Sequence, residues 1–245
     1  MGATRLEYRL RYAIHAVIYM LGFWAPWCQP LGWRRTTTWL VLSGTLSKAG
    51  WLSFTGATNA VLMVAIVLVA MGAFLRVWGA AYVGASVVQS QTMHGQRLLV
   101  DGPYRRTRNP LYLGTLLHTL GLAILMPASG AMFAVVLLWT FQVRLALAEE
   151  PFLLQRFGEA YRAYRARVPR FLPSPTPQVA SAGVRPRWGQ ALLVEVYMVG
   201  VAVTFVIFGW SFNAMTLVRG VLISLGLSII VIAMLPRVPK AEAGE

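Results

Sequence analysis

The chain has 245 residues, of which 57% are hydrophobic and only 12% are charged. Soluble domains carry about 25% charged residues, so this composition excludes an ordinary water-soluble fold and indicates that lipid surrounds much of the protein. The 22 Lys and Arg residues outnumber the 8 Asp and Glu residues, which gives a net charge of +14. Because long apolar runs separate the basic segments, this charge favours loops at an anionic membrane surface over nucleic-acid binding. The single cysteine, Cys28, excludes an internal disulfide and a multi-cysteine metal site.

Apolar segments of about 17–25 residues can cross a bilayer as helices, and six segments reach or approach this length. They run over residues 12–27, 58–83, 111–127, 131–148, 189–210 and 215–235. Short links join the third segment to the fourth and the fifth to the sixth. Each of these pairs is therefore predicted to be an antiparallel hairpin.

Residues 38–54 are apolar but contain Lys48 and two glycines, and the distribution of basic residues decides how to interpret them. If this segment does not span, only Arg34, Arg35 and Lys48 lie on the far side of the membrane. The other side then holds the arginines of residues 5–11, 97–108 and 156–187, together with Arg237 and Lys240. We therefore predict an all-α, polytopic membrane bundle of about six transmembrane helices. Both termini would be cytoplasmic, and residues 38–54 would form a re-entrant or interfacial segment.

The chain divides into three predicted parts. Residues 1–57 hold the first helix and the far-side segment, and residues 58–173 hold the segments with candidate chemistry. Residues 174–245 hold a linker and a C-terminal hairpin, and the prolines at 173, 175 and 177 indicate that the linker is stiff and extended. For the hairpin, two roles stay open: closing a substrate cavity and mediating dimerisation.

The first polar segment with candidate chemistry covers residues 101–114. Tyr104, Arg105, Arg108 and Tyr112 crowd the point where a helix enters the membrane. Asn109-Pro110 is typical of a helix N-cap followed by the first helical position. Because free N–H groups and the helix dipole point outwards there, a helix N-terminus beside arginines is also an anion site.

The second candidate segment is acidic. Glu149 and Glu150 lie at the cytoplasmic end of a predicted span, and adjacent helical residues project about 100° apart, so the two carboxylates face different directions. Arg144 lies about one turn inside the span, where a charge must be paired, solvated or extended to the interface. Polar residues inside the other apolar segments are further candidates, although a lone histidine usually forms an interhelical hydrogen bond. These are Arg76, His118 and Glu195.

Phe157, Tyr161, Tyr164 and Val168 share one helical face. This pattern predicts an amphipathic helix that lies on the membrane surface, with an ordinary surface helix as the alternative favoured for most of these residues. The sequence contains no metal-ligand spacing, no P-loop and no nucleotide-binding glycine fingerprint.

Several motifs occur together in a fixed order. They are Gly102-Pro103-Tyr104, Arg108-Asn109-Pro110-x-Tyr112-x-Gly114, Glu149-Glu150, Phe157-Gly158-x-x-Tyr161-x-x-Tyr164 and Val168-Pro169-Arg170-Phe171-Leu172-Pro173. With Leu75-Arg76-x-Trp78-Gly79 upstream, residues 72–173 resemble the integral-membrane isoprenylcysteine carboxyl methyltransferases and their phospholipid methyltransferase relatives. One difference is that Asn109 stands where the family usually has histidine, and asparagine can form hydrogen bonds but cannot titrate.

The resemblance implies S-adenosylmethionine as the methyl donor, held at the cytoplasmic helix ends by capping loops. The residues that it implies for cofactor binding are Tyr104, Arg105, Arg108, Asn109, Pro110, Tyr112, Glu149, Glu150 and Tyr161. Those considered for catalysis are Arg144, Glu149 and Glu150, and no metal is expected.

The leading functional hypothesis is a membrane methyltransferase acting on a lipophilic small molecule or lipid, through a carboxylate or an amine. This hypothesis predicts that the protein contacts the membrane bilayer and that it does not bind nucleic acid. Two alternatives stay open: an NADPH-dependent membrane reductase of the steroid-reductase type, and a non-catalytic membrane scaffold.

Overall fold

The structure is a computed structural model, and it describes residues 2–83 and 98–234. Within these ranges the chain is helical and contains no β-strand, with one isolated bridge between Thr37 and Pro127. The helices are α1 (Arg5–Arg9), α2 (Arg11–Trp24), α3 (Thr38–Lys48), α4 (Phe54–Val83), the 3₁₀ helix Gly102–Arg105, α5 (Pro110–Ala123), α6 (Ala128–Arg167), α7 (Trp188–Val194), α8 (Val196–Ser211) and α9 (Ala214–Met234). The predicted cytoplasmic residues Arg97, Arg237 and Lys240 lie outside the described residues, as do residues 84–96.

Three of the described helices, α4, α6 and α9, are long and apolar enough to cross a membrane. Helices α7 and α8 pass the same test together but are bent by 76°, which gives up to four candidate spans. The all-helical prediction is confirmed, and the apolar helices support an integral membrane protein. The predicted number of about six spans is not confirmed.

Helix length explains the difference in span number. Helices α2 and α5 have 14 residues each, which is about 21 Å at 1.5 Å per residue, against a hydrocarbon core of about 30 Å. Helix α3 has only 11 residues, so it is also too short to span. This agrees with the prediction that residues 38–54 do not cross the membrane.

Helices α4 and α5 are held together by an unusually close backbone approach at two glycines. A Cβ atom built on Gly72 would lie 2.6 Å from both the carbonyl oxygen of Gly114 and the backbone nitrogen of His118. Only glycine permits this spacing, because any side chain would force the two backbones apart. The close contact fixes where the first turn of α5 lies along α4.

A buried apolar core joins α2, α4, α5, α6 and α8. Its members include Ile18, Val69, Leu122, Leu138 and Phe205, each at most 7% exposed. Burying these side chains holds the N-terminal helix and the C-terminal hairpin against the central helices.

Helix α6 continues for 40 residues, well past the end of the predicted fourth span. It breaks at Gly158, whose φ of 51° and ψ of −124° are accessible to glycine. After this break, Tyr161, Tyr164 and Val168 are buried, and the residues packed against them include Leu98. The prediction of a membrane-surface helix is therefore wrong. The apolar face is real, but the protein's own loops cover it.

The proline-containing linker is docked rather than free. Gln178 N–H donates to the Arg105 carbonyl oxygen at 2.8 Å, and Ser174 N–H donates to that of Arg106 at 3.0 Å. The Arg105 Nε–H group returns a bond to the Val179 carbonyl oxygen at 2.9 Å. These bonds tie the linker to the loop that precedes α5.

Candidate active site

A cavity of about 630 Å³ lies where α2, α4, α5, α6 and the C-terminal hairpin meet. Eight of the predicted site residues line it: Tyr104, Arg108, Asn109, Pro110, Tyr112, Glu149, Glu150 and Tyr161. Its walls also contain residues from all three predicted parts of the chain, for example Tyr8, Thr115 and Tyr197. The fold therefore brings distant polar segments together around one space.

Glu150 is the centre of one charged cluster. The Arg108 Nη1–H group donates to its Oε1 at 2.9 Å. Arg170 donates through Nε to Oε1 at 2.8 Å and through Nη2 to Oε2 at 2.9 Å. The side chains of Arg108 and Glu150 are each 12% exposed, so these charge-assisted bonds are largely shielded from water. Arg170 belongs to the Val168–Pro173 motif, but the sequence did not indicate this role.

Glu149 belongs to a second, separate cluster. The Tyr112 hydroxyl donates to its Oε1 at 2.6 Å, and the Tyr8 hydroxyl donates to the same oxygen at 3.0 Å. Neither phenol uses Oε2. As expected from their adjacent helical positions, the two carboxylates face different partners.

The loop before α5 is fixed against residues 169–171. Arg108 N–H donates to the Pro169 carbonyl oxygen at 2.9 Å, and the Asn109 Nδ2–H group donates to that of Arg170 at 3.0 Å. Asn109 occupies the N-cap position and Pro110 the first turn, as predicted, but the Asn109 side chain makes no capping bond. It instead connects the Arg108–Gly114 motif to the Val168–Pro173 motif.

Arg144 and Arg105 do not line the large cavity. The Arg144 Nη2–H groups donate to both carboxylate oxygens of Glu7 at 2.8 Å, which joins α6 to α1. Arg105 instead lines a smaller cavity of about 260 Å³, together with Asp101 and Ser181.

The N-terminal helices contribute site residues that the sequence reasoning missed. These cavity-lining residues are Tyr8, Arg11, Tyr12, His15 and Tyr19. Their spacing of three or four places a polar or aromatic side chain on every turn of one face, and this pattern could have identified them. The Arg11 guanidinium lies 4.7 Å from the ring centroid of Tyr8 and 4.6 Å from that of Tyr12, which are cation–π contacts.

Of the three intramembrane candidates, Arg76 and Glu195 meet at the cavity, whereas His118 does not line it. Arg76 pairs with Glu195 through two bonds of 2.6 and 2.7 Å, and both residues line the cavity. His118 is 1% exposed and packs behind the wall, at the close approach of α4 and α5.

Outside the candidate spans, the pKa shifts keep the phenols of Tyr8 and Tyr104 protonated and keep Asp101 ionised. Burial, and then the negative charge of Glu149, raise the pKa of the Tyr8 hydroxyl, and burial raises the pKa of Tyr104 well above its usual value. Both phenols therefore remain hydrogen-bond donors. Burial would raise the pKa of Asp101, but the bonds it accepts from Ser181, Val184 and Ala182 outweigh that effect and lower it.

The sequence comparisons agree with this arrangement. The family described as phospholipid methyltransferase matches residues 60–160, which include Glu149, Glu150 and the loop before α5. The predicted resemblance to this superfamily is confirmed.

Several curated relatives share part of the chain. The protein-S-isoprenylcysteine O-methyltransferase of Schizosaccharomyces pombe is 32% identical over 42% of this chain and 45% of its own length. That of Mus musculus is 30% identical over 58% of this chain and 48% of its own length. A probable protein-S-isoprenylcysteine O-methyltransferase of Oryza sativa is 32% identical over 45% of this chain and 60% of its own length. The chain thus spans about half the length of these relatives, and no solved structure matches it.

Proposed function

We propose that this chain is an integral-membrane, S-adenosylmethionine-dependent methyltransferase that methylates the carboxylate of an S-prenylated cysteine. One observation carries the proposal. Two adjacent carboxylates, Glu149 and Glu150, each held by its own donors, line a cavity that continues between apolar helices. The names of the relatives supply the acceptor class.

The residues present fit a cationic methyl donor that also carries a carboxylate. Arg108 Nε is buried and has no hydrogen-bond partner among the described residues, so it can donate to an anion. Glu149 can accept from hydroxyl or ammonium groups through Oε2, and Tyr104 and Tyr161, which line the cavity, are aromatic residues of the kind that contact a sulfonium. When bound, S-adenosylmethionine supplies a methyl group that is already activated, so the protein mainly aligns the reactants.

A carboxylate acceptor fits the one departure from the family's motif. A carboxylate is already nucleophilic and needs no proton removed before it reacts. Asn109 cannot act as a titrating base, and its amide is committed to the Arg170 carbonyl oxygen. An amine acceptor would need a base to remove its proton, so the residues at this position favour a carboxylate.

The proposal also includes an arrangement of the helices in the membrane. In this proposal α4, α6, α9 and the bent pair α7–α8 cross the bilayer, and two further crossings are made by α2 together with α1 and by α5 together with the turn that follows it. Both termini face the cytoplasm, following the positive-inside rule. The donor reaches the Glu149 and Glu150 end from water, and the apolar acceptor arrives from lipid. The three-part division at residues 57 and 173 remains part of this proposal.

The test is ligand binding to the detergent-solubilised, full-length protein. We expect S-adenosylmethionine to bind saturably and to raise the thermal midpoint, because a ligand that binds only the folded state stabilises it. Glu150→Gln should weaken binding tenfold or more, because it removes the charge that holds Arg108 and Arg170. The matched control is Glu159→Gln, at an exposed glutamate of α6, which should leave binding unchanged.

The alternatives predict different results in the same assay. A shift with NADPH and none with S-adenosylmethionine would support a reductase. A shift with neither would support a scaffold. Either result would overturn the methyltransferase proposal.

A further inference from the structure

Residues 2–8 lie against α6 and are held there by polar contacts. Ala3 N–H donates to the Arg144 carbonyl oxygen at 2.8 Å. A Cβ atom built on Gly2 would lie 3.0 Å from a backbone nitrogen of α6, so the chain passes directly over that helix. The carboxylate of Glu7 pairs with the Arg144 guanidinium at 2.8 Å. These contacts place residues 2–8 beside the part of α6 that carries the two candidate carboxylates.

Helix α1 has little else to keep it in this position. It has five residues and none of them is buried, and a helix this short is not stable by itself in water. A capping box closes its first turn: Glu7 N–H donates to the Thr4 hydroxyl at 3.2 Å, and Thr4 N–H donates to Glu7 Oε2 at 2.6 Å. The cap and the ion pair with α6, rather than an apolar face, therefore fix where α1 lies.

This position brings the Tyr8 phenol to Glu149. The Tyr8 hydroxyl donates to Glu149 Oε1 at 3.0 Å, and the Tyr112 hydroxyl donates to the same oxygen at 2.6 Å. Arg11 lies 4.7 Å from the centroid of the Tyr8 ring and donates to the Tyr8 carbonyl oxygen at 3.1 Å, which restrains the ring. Glu149 Oε1 is thus shared by two phenols from different helices, α1 and α5.

Two donors on one oxygen hold a carboxylate better than one donor does. A glutamate side chain has three rotatable bonds, and with a single donor the carboxylate can still turn about that hydrogen bond. Ordering a side chain when a ligand binds costs conformational entropy, so a side chain that is ordered in advance binds more tightly. The second phenol therefore prepares Glu149 Oε2 to accept from a ligand in the cavity.

The second donor comes from outside the region that the family model matches. Tyr112 and Glu149 both lie within the matched residues 60–160, whereas Tyr8 does not. The contact between Tyr8 and Glu149 joins residues 141 positions apart. The matched region alone therefore supplies Glu149 with one phenol, and the docked residues 2–8 supply the other.

We propose that Tyr8 is a positioning residue for the methyl-donor site, acting through Glu149, and that docking of residues 2–8 on α6 sets the affinity of that site. The ion pair of Glu7 with Arg144 acts by holding Tyr8 in place. This inference rests on the proposed function and deepens it by assigning a regulation to the same site. Release of residues 2–8 would lower donor affinity while the apolar core stays folded.

The first test removes only the phenol oxygen. S-adenosylmethionine binding is measured by calorimetry on the detergent-solubilised full chain. Tyr8→Phe should bind about three- to tenfold more weakly, as expected for the loss of one hydrogen bond. Its thermal midpoint without ligand should equal that of the wild type. The matched control is Tyr82→Phe, at a tyrosine that lines the smaller cavity, which should leave the affinity unchanged.

The second test asks whether the ion pair acts through Tyr8. Glu7→Ala removes the partner of Arg144 and half of the capping box, so it should weaken binding about as much as Tyr8→Phe does. Combining the two substitutions should cause no further loss, because both remove the same hydrogen bond. Glu7→Gln retains an acceptor for Arg144 and should restore most of the affinity lost in Glu7→Ala.

The opposite results are distinguishable. Wild-type affinity in Tyr8→Phe, with or without a lower thermal midpoint, would show at most a structural role and would overturn the inference. Additive losses in the double variant would also overturn it, since the two residues would then act separately. If Tyr8→Phe does not fold, Glu7→Ala decides, because wild-type affinity there contradicts control by docking. Failure of the wild-type protein to bind S-adenosylmethionine would instead overturn the proposed function itself.

Discussion

Arg76 and Glu195 form a bidentate ion pair between α4 and the C-terminal hairpin. The Nε–Oε2 and Nη2–Oε1 distances are 2.6 and 2.7 Å. Glu195 lies at the 76° break between α7 and α8. Arg76 also donates through Nη1 to the Thr115 hydroxyl at 2.8 Å, in the second turn of α5. One arginine thus connects the hairpin to the helix that carries Tyr112.

Removing one partner of this pair should destabilise the protein strongly. The side chains of Arg76 and Glu195 are 15% and 2% exposed, so Glu195→Ala leaves a largely buried, uncompensated charge, at a cost of about 3–5 kcal/mol. The double variant Arg76→Met with Glu195→Leu should be less destabilised than Glu195→Ala. Denaturant unfolding in detergent measures both. A double variant that is as destabilised as Glu195→Ala, or more so, would contradict the coupling, and Glu159→Ala, in an exposed ion pair, serves as the control.

The close approach of α4 and α5 should not tolerate a methyl group. Gly72→Ala places a Cβ atom 2.6 Å from two backbone atoms of α5, and we expect a loss of about 1–3 kcal/mol as the helices shift apart. Gly226→Ala, in α9, adds a Cβ atom that meets nothing within 4 Å. It should be neutral or slightly stabilising because alanine favours helix. Thermal unfolding of both variants provides the comparison, and equal effects would contradict it.

Asp101 should make a pH-dependent contribution to stability. Its carboxylate accepts from the Ser181 hydroxyl at 2.5 Å and from Ala182 N–H at 2.9 Å, and its pKa is lowered in the folded protein. The contribution is therefore fully present above the unfolded pKa of about 3.9 and is lost as the pH falls through the lower folded value.

The comparison for this effect is Asp101→Asn. Its thermal midpoint should be below that of the wild type at pH 7. The difference should begin to shrink below about pH 4, where the carboxyl of the unfolded wild type takes up a proton, and should vanish at the lower pH where the folded carboxyl also becomes neutral. A constant difference across this range would show that charge plays no part.

Substitutions at Arg144 test whether this predicted catalytic residue acts directly or through Glu7. Its guanidinium binds Glu7, and Glu7 is adjacent to Tyr8, which donates to Glu149. Arg144→Glu should weaken S-adenosylmethionine binding by placing two carboxylates together. Adding Glu7→Arg should restore binding, because the ion pair is rebuilt with reversed polarity. Failure of the exchange to restore binding would support a direct role for Arg144 at the reacting atoms.

Much of the site could be predicted because local patterns determine it. The order of motifs from Gly102 to Pro173 indicated the resemblance to the superfamily that the comparisons also show. Helical geometry alone required Glu149 and Glu150 to face different partners, and Asn109-Pro110 marked the start of α5. These features depend on neighbouring residues, which the sequence displays directly.

Other features depend on segments that are far apart in the chain. The apolar face of Tyr161, Tyr164 and Val168 fits lipid and protein equally well, so periodicity could not choose between them. Likewise, hydropathy marked the apolar segment at α2 but not its 14-residue length, since the helix ends at Ala25 in a left-handed conformation.

The sequence by itself determined an all-helical protein with apolar helices, the position of its polar loops and its resemblance to a methyltransferase superfamily. These follow from composition, short-range periodicity and residue order. Only the tertiary structure decided that Tyr8 meets Glu149, that Arg76 meets Glu195, and that His15 meets Gln142. Each of these contacts joins residues more than 100 positions apart, and the packing of whole helices, rather than any local preference, brings them together.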